Sequence, residues 1–280
     1  MRSGGNVCIR EQKTSGSENK DPKYHVGNSA GSLTIVSLGP GDPQYLVPKA
    51  RQALVDAEVV VGYKTYIDLV DPELLEGKET ISNGMKAEIK RCSMAVQKAL
   101  EGKNVAVVCS GDAGIYGMAG LVFDIHKERK LLEDVKVKVI PGIPALAAAA
   151  SLLGAPLMHD FAVISLSDLM TPWEDIKARV EAASKADFVI VLYNPKSKKR
   201  NWQLKEALNI IRNYRTGETP VGIVRNAARK DESVCITTIS EVNLSEVDMM
   251  SIIIAGNSKT WAYQNNMVTP RGYVEKYGVD

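Results

Sequence analysis

The chain has 280 residues, enough for two domains of ordinary size, each with its own core. Its 45% hydrophobic and 24% charged residues are typical of a soluble globular protein, and a net charge of +2 is too small to indicate nucleic acid as a main partner. The four cysteines show no CxxC spacing, and there is neither a signal peptide nor an apolar run near the roughly 20 residues of a membrane span, so we expect a cytoplasmic protein with reduced thiols, no protein-bound metal and no membrane partner.

The chain begins with a polar segment. Residues 1–31 are rich in Ser, Gly, Asn and Lys and show no hydrophobic periodicity, which predicts a disordered N-terminal tail. From Leu33 onward, strand and helix patterns alternate. In the first half they predict strands at 33–38, 59–61, 105–109 and 135–140, and helices from Pro48, after Gly84 and over the alanine-rich segment 145–153.

The pattern restarts after Gly154-Ala-Pro156, which predicts a second domain. Strands are expected at 161–166, 188–192, 221–224, 234–238 and 251–255, with helices from Trp173 and around Leu204. The second half has no glycine-rich first turn, so the halves differ. We predict an α/β protein of two unequal α/β domains, residues 32–156 and 157–280, with the active site in the cleft between them.

Two glycine-rich turns carry the main clue to function. Gly39-Pro-Gly-Asp-Pro43 and Ser110-Gly-Asp-Ala-Gly-Ile-Tyr-Gly117 each follow a predicted strand, where open α/β sheets place ligands. The first lacks the third glycine of a dinucleotide fingerprint, and the second lacks the Gly-Lys-Ser/Thr of a P-loop. Asp112 and the absence of a nearby lysine disfavour phosphate. A ligand with a positive centre, such as S-adenosylmethionine, fits better; two purely structural turns are the alternative.

These turns, together with Pro141-Gly-Ile-Pro-Ala145, resemble motifs of the tetrapyrrole (corrin/porphyrin) methyltransferases, which bind S-adenosylmethionine between two α/β domains. Segments 159–173, 193–200 and 255–260 look similar to the branch of that family that methylates C17 of precorrin-3B. The resemblance covers roughly Ser32 to the C-terminus.

The resemblance implies an S-adenosylmethionine-dependent C-methyltransferase of cobalamin biosynthesis. It would act on C17 of precorrin-3B or cobalt-precorrin-3, contract the ring, and form a homodimer. The residues implied to bind the cofactor come from the glycine turns and from strand ends of the second domain: Gly39, Pro40, Gly111, Asp112, Ile115, Tyr116, Ile143, Pro144, Ala145, Asn194, Asn226, Ala227, Ser251 and Ile252.

The implied substrate is edged by carboxylates, so basic residues are expected on the cleft rim. Arg pairs with carboxylates in a bidentate manner, and we select Lys86, Arg200 and Arg225; a solvated basic run is the alternative. Ring contraction requires proton transfer, for which His159 and Asp168 are the candidate catalytic residues. Either one is equally compatible with a hinge, capping or loop role.

Three other functions remain open at this point. One is methyl transfer to a different corrinoid or porphyrinoid carbon, and another is modification of a macromolecule by the same fold. The weak net charge disfavours RNA as that macromolecule. The third, a nucleotide-dependent oxidoreductase or plain ligand-binding module, is disfavoured by the missing third glycine.

Overall fold

The computed structural model describes residues 31–84, 86–131, 134–197 and 199–279, and the predicted tail lies outside them except for Gly31. The first half alternates strands with helices: β1 (Ser32–Ser37), α1 (Pro48–Asp56), β2 (Val59–Tyr63), α2 (Lys64–Ile67), β3 (Glu79–Asn83), α3 (Glu88–Leu100), β4 (Asn104–Cys109), α4 (Ala119–Glu128), β5 (Lys136–Ile140) and α5 (Ala145–Leu153).

Strands β1 to β5 form one parallel sheet in the order β3-β2-β4-β1-β5. Side chains alternate between its faces, so Leu33 and Ile35 pack with helices α3 and α4, while Val36 and Leu38 pack with α1. Helices therefore cover both faces, as parallel sheets require. The carboxyl ends of β4, β1 and β5 lie side by side, and the glycine turns follow them.

The second half builds a separate sheet. Its elements are β6 (Gly154–Ala155), β7 (Phe161–Ser165), α6 (Trp173–Lys185), β8 (Val189–Tyr193), α7 (Gln203–Arg212), β9 (Pro220–Arg225), β10 (Ser233–Thr238), β11 (Ser251–Ala255), β12 (Trp261–Tyr263), β13 (Asn266–Val268) and α8 (Tyr273–Tyr277). The five-stranded sheet has the order β10-β9-β11-β8-β7, with only β7 and β8 parallel, and β12, β13 and β6 form a small third sheet. No helix among the described residues is long and apolar enough to cross a membrane. The predicted fold class, two α/β units, is confirmed.

Helix α5 packs on the second sheet rather than on the first. Its Leu146, Ala149 and Leu153 share a core with Val191 of β8 and with residues of β9 and β11. The helix is nearly all alanine and leucine, so it approaches the strands closely. The domain division at residue 156 stays a prediction; this packing favours a break before α5, at residues 141–144, which we propose as the boundary.

The contact between α5 and β9 leads to a prediction about stability. A Cβ at Gly222 would meet the Leu153 side chain and lie 2.7 Å from its Cδ2 atom. Gly222→Ala should therefore lower the free energy of unfolding by about 1–3 kcal/mol, the usual cost of overpacking. Gly120→Ala in α4 is the matched control, since its Cβ would meet nothing within 4 Å, and it should stabilise by about 0.5–1 kcal/mol. Chemical denaturation measures the free energy of unfolding of both variants. An equal increase in the two variants would contradict the close contact at Gly222.

Candidate active site

The two glycine turns meet at the carboxyl ends of adjacent strands β1 and β4. Gly39 and Gly111 form an antiparallel bridge: the Gly39 N–H donates to the Gly111 carbonyl at 3.1 Å, and the Gly111 N–H donates to the Gly39 carbonyl at 2.6 Å. Both glycines have positive φ, 75° and 66°, which other residues adopt at a cost. The bridge holds the two turns at a fixed spacing.

A third glycine loop, after β5, completes this arrangement. A Cβ at Gly142 would lie 2.6 Å from the Ser37 Cβ and 2.7 Å from the Gly111 carbonyl oxygen, so only glycine fits. The Gly142 N–H donates to one carboxylate oxygen of Asp112 at 2.9 Å, and the Gly114 N–H donates to the other at 2.8 Å. Asp112 thus ties the loop after β4 to the loop after β5.

A cleft of about 290 Å³ opens beside these loops, with residues of both domains in its wall. Most of the predicted cofactor residues line it, whereas Gly39 and Ile143 lie outside the lining. The lining residues are Pro40, Tyr63, Thr65, Tyr66, Ser110, Gly111, Asp112, Ile115, Tyr116, Pro144, Ala145, Tyr193, Asn194, Asn226, Ala227, Arg229, Met249, Met250, Ser251 and Ile252.

Two tyrosines connect the domains across the cleft. The Tyr116 hydroxyl donates to the Val163 carbonyl at 3.0 Å and accepts from the Ser165 N–H at 3.1 Å, so the first domain contacts the β7 end of the second. Its ring lies 5.3 Å from that of Tyr193, whose hydroxyl oxygen accepts the Leu146 N–H at 2.9 Å. Burial raises the pKa of Tyr193 to about 12. The phenol therefore stays protonated at neutral pH and positions neighbours rather than acting as a base.

Two asparagines at the second domain's edge of the cleft adopt left-handed backbone conformations. Asn194 follows β8 with φ 50°, and Asn226 follows β9 with φ 53°. The Asn194 side-chain amide donates to the Ser165 hydroxyl at 2.9 Å, and the Asn226 N–H donates to the Met250 carbonyl at 3.1 Å. Such strained backbones concentrate at functional sites, which supports both asparagines as cleft residues.

Arg200 is buried and does not lie free on the rim, and its role in substrate binding stays a prediction. It is 7% exposed, and its Nη1 donates to the carbonyls of Leu166 and Asn194. Asp168, the predicted acid–base residue, accepts from the Gln203 side-chain amide at 2.9 Å and lies 3.9 Å from the Arg200 Nε. Neither residue lines the cleft. Arg200 holds the backbone of Asn194 through its carbonyl, and Asp168 lies beside Arg200.

His159 is not among the residues that line the cleft, and its catalytic role stays a prediction. It precedes Phe161, the first residue of β7, whereas the cleft lies beyond Ser165, the last. These two ends are four strand positions apart, a distance of about 13 Å. The His159 ring is partly exposed, and its Nδ1 accepts the Asp160 N–H at 2.8 Å. It is a residue of the β7 entry turn.

Lys86 and Arg225 are both exposed and outside the cleft lining. Lys86 follows β3 with φ 66°, and its N–H donates to Glu88 at 3.2 Å. The Arg225 Nε donates to the Asp248 carboxylate at 2.7 Å. Their role in binding substrate carboxylates stays a prediction.

Several lining residues were not predicted from the sequence, and Arg229 matters most among them. Its Nε donates to the Pro40 carbonyl at 2.6 Å, and its Nη2 donates to the Ser110 hydroxyl, so it reaches both glycine turns from the second domain. It lies in an Arg-Lys-Asp-Glu run that resembles a solvated loop. Only its position three residues after left-handed Asn226 hints at the cleft.

The cleft chemistry fits a ligand with both signs of charge and an apolar body. Among the described residues of the lining, Asp112 is the only carboxylate and Arg229 the only cation. Hydroxyl and amide groups supply neutral hydrogen bonds, while Ile115, Pro144 and Met249 supply apolar surface. S-adenosylmethionine, with an amino-acid part, a sulfonium and an adenosine, matches this donor set. The described residues hold no cluster of three or more His, Cys, Asp or Glu suited to a metal ion.

Comparison with known proteins agrees with this geometry. The family model of the Tetrapyrrole (Corrin/Porphyrin) Methylases matches residues 32–243. The chain belongs to this family.

Two curated relatives are similar over most of the chain. A protein of Salmonella typhimurium strain LT2, named probable cobalt-factor III C(17)-methyltransferase, is 49% identical over 86% of this chain and 99% of its own length. A cobalt-factor III methyltransferase of Priestia megaterium is 47% identical over 88% of this chain and 46% of its own length. This chain therefore spans about half of the Priestia protein.

Two solved structures share the fold. The methyltransferase CobJ superposes with a TM-score of 0.82 at 31% identity, covering 86% of this chain and 100% of CobJ. The uroporphyrin-III C-methyltransferase of Thermus thermophilus, complexed with S-adenosylhomocysteine, gives a TM-score of 0.61 at 25% identity, covering 81% of this chain and 97% of its own.

The double role of the Asp112 carboxylate gives a second prediction. Asp112→Ala leaves the Gly114 and Gly142 N–H groups without their acceptor, which should cost about 1–3 kcal/mol of stability. The substitution should also lower the affinity for S-adenosylhomocysteine, because the loops after β4 and β5, which line the cleft, would move apart. Asp112→Asn keeps one acceptor oxygen, so its stability and affinity should lie between those of the parent protein and of Asp112→Ala. Thermal unfolding and calorimetry are measured together; a full loss of affinity at an unchanged melting temperature would assign Asp112 to the ligand alone.

The position of His159 gives a third prediction. His159→Ala should leave cofactor affinity and methyl transfer within about twofold of the parent, because surface changes away from special features cost little. Arg200→Met should instead lower the affinity for S-adenosylhomocysteine, because the carbonyl of the cleft residue Asn194 loses its hydrogen-bond donor. Steady-state rates and calorimetry compare the two variants. A block in product formation with His159→Ala alone would instead support the predicted catalytic role of His159.

Proposed function

We propose that this chain is an S-adenosylmethionine-dependent C-methyltransferase of cobalamin biosynthesis, acting on C17 of a cobalt-containing precorrin-3-level macrocycle and contracting its ring. The observation that carries the proposal is the 49% identity to the Salmonella protein over 99% of that protein's length. The Priestia relative is also named for cobalt-factor III, which favours the cobalt-containing substrate over the cobalt-free one.

The activity of the longer relatives is not transferred whole. The match covers 46% of the Priestia protein, so activities that belong to the rest of that protein are not proposed for this chain. The Salmonella relative is matched over 99% of its own length by 86% of this chain, which supports the proposed activity.

The chain's own residues bind and orient the ligands. The glycine loops around Gly111 and Gly142, with Asp112 and Asn226, would hold S-adenosylmethionine. When bound, it supplies an electrophilic methyl group on a positively charged sulfur. Tyr116 and Arg229 join the two domains around the cleft. Orientation alone supplies several kcal/mol of barrier lowering in such transfers, on the order of 7 kcal/mol or more in favourable cases.

The partner chemistry follows from the same relatives. A tetrapyrrole macrocycle is the acceptor. Homodimer formation, a cytoplasmic location and the absence of nucleic-acid and membrane partners belong to the proposal as predictions; the net charge of +2 supports the absence of a nucleic-acid partner.

The proposal predicts the substrate preference of the purified chain. Incubated with S-adenosylmethionine, it should add one methyl group to cobalt-factor III faster than to cobalt-free precorrin-3B, and it should leave uroporphyrinogen III unchanged. Product mass reports methylation, and the absorbance spectrum reports ring contraction. Excess S-adenosylhomocysteine is the control and should suppress the reaction. Methylation of uroporphyrinogen III alone would move the chain to another branch of the family.

A further inference from the structure

Arg229 separates two cavities. One is the cleft already described, and the other is a cavity of about 540 Å³ between the first glycine turn, α5 and the loop after β9. Arg229 lines both, and it is half-buried. Its stem packs on Gly41, where a Cβ would lie 2.9 Å from the Nε atom. A ligand in either cavity would therefore lie beside Arg229, and in the second cavity also beside Asp42 and Glu232.

Three other arginines, each with a side chain at most 8% exposed, have a carboxylate beside them. Arg91 lies 3.9 Å from Glu88, Arg200 lies 3.9 Å from Asp168, and Arg215 lies 3.0 Å from Asp187. Buried charges are normally paired in this way, because desolvation without a partner is costly.

Arg229 lacks such a partner. It forms no ion pair with any carboxylate of residues 31–84, 86–131, 134–197 and 199–279, and its protein acceptors, the Pro40 carbonyl and the Ser110 hydroxyl, are neutral. Its Nη1 has no hydrogen-bond acceptor among the same residues. Burial lowers the pKa of Arg229, as it does for Arg200 and Arg215, but each of those has an aspartate that opposes the shift.

We propose that Arg229 is a carboxylate-binding residue whose counter-ion is supplied by a bound ligand. Nε and Nη2 fix the guanidinium against the two glycine turns, which leaves Nη1 for the ligand. A guanidinium held in this way is suited to a carboxylate. The inference rests on the proposed function for the two sources of that group: the amino-acid part of the methyl donor in the cleft, or an acidic side chain of the macrocycle in the neighbouring cavity.

The test compares full-length wild type with Arg229→Gln, Arg229→Lys and the control Arg215→Gln. Calorimetry measures the affinity of S-adenosylhomocysteine, which has the carboxylate, and of 5′-methylthioadenosine, which lacks it. Steady-state kinetics measure the KM for the macrocycle. Arg215→Gln removes an arginine that already has a carboxylate partner, remote from the cleft, so it should lower the melting temperature and leave the affinities and KM unchanged.

If the donor supplies the carboxylate, Arg229→Gln should weaken S-adenosylhomocysteine by about 10- to 100-fold and leave 5′-methylthioadenosine unchanged. If the macrocycle supplies it, KM should rise by a similar factor at unchanged S-adenosylhomocysteine affinity. Arg229→Lys should recover part of either loss.

Two results would overturn the proposal. One is unchanged affinities and KM in folded Arg229→Gln, and the other is equal weakening of both nucleosides at unchanged KM, which would make Arg229 a wall residue only. Wild type that binds S-adenosylhomocysteine but makes no product refutes the proposed function while the nucleoside comparison still tests Arg229. Wild type that binds neither nucleoside nor macrocycle refutes both.

Discussion

The close approach of three glycine loops is the constraint on which the rest of the site depends. Gly39, Gly111 and Gly142 follow the adjacent strands β1, β4 and β5, and their backbones meet without intervening side chains. Parallel strands bring their carboxyl ends to one edge of the sheet, so the fold itself creates this meeting point. A Cβ at Gly142 would push the loops apart. The Asp112 carboxylate then fastens two of the three loops by accepting backbone N–H groups.

The second domain is held against this edge by few polar contacts. Tyr116 reaches from the first domain to β7, and Arg229 reaches from the loop after β9 to both glycine turns. Helix α5 follows the third glycine loop directly and packs on the second sheet, so the covalent connection and the packing run through the same segment. A movement between the domains would change the cleft width and these contacts together.

Local sequence predicts the buried parts of this fold well. Runs of β-branched residues, such as 105–109 and 251–255, gave strands at β4 and β11, and α5 was expected from its alanines. Strand β3 was missed because Ile81 is its only large apolar residue and most of it is exposed. The local sequence does not show which sheet α5 packs on, since a helix of almost only alanine and leucine fits either sheet. Strands β6, β12 and β13 are too short for a periodic signal and depend on tertiary pairing.

The site shows the same division between local and tertiary signals. Glycines that need positive φ mark the turns in the sequence itself, whereas the environment of an arginine does not appear there. Arg200 stands in a Lys-rich run that is typical of a solvated surface, yet its guanidinium is buried against the Leu166 carbonyl. Arg229 stands in an equally polar run, yet it lies between two cavities. Arg200 has Asp168 beside it, so the protein itself compensates the burial of that charge. Arg229 has two neutral acceptors and forms no ion pair among the described residues, and in our proposal a ligand supplies its counter-ion.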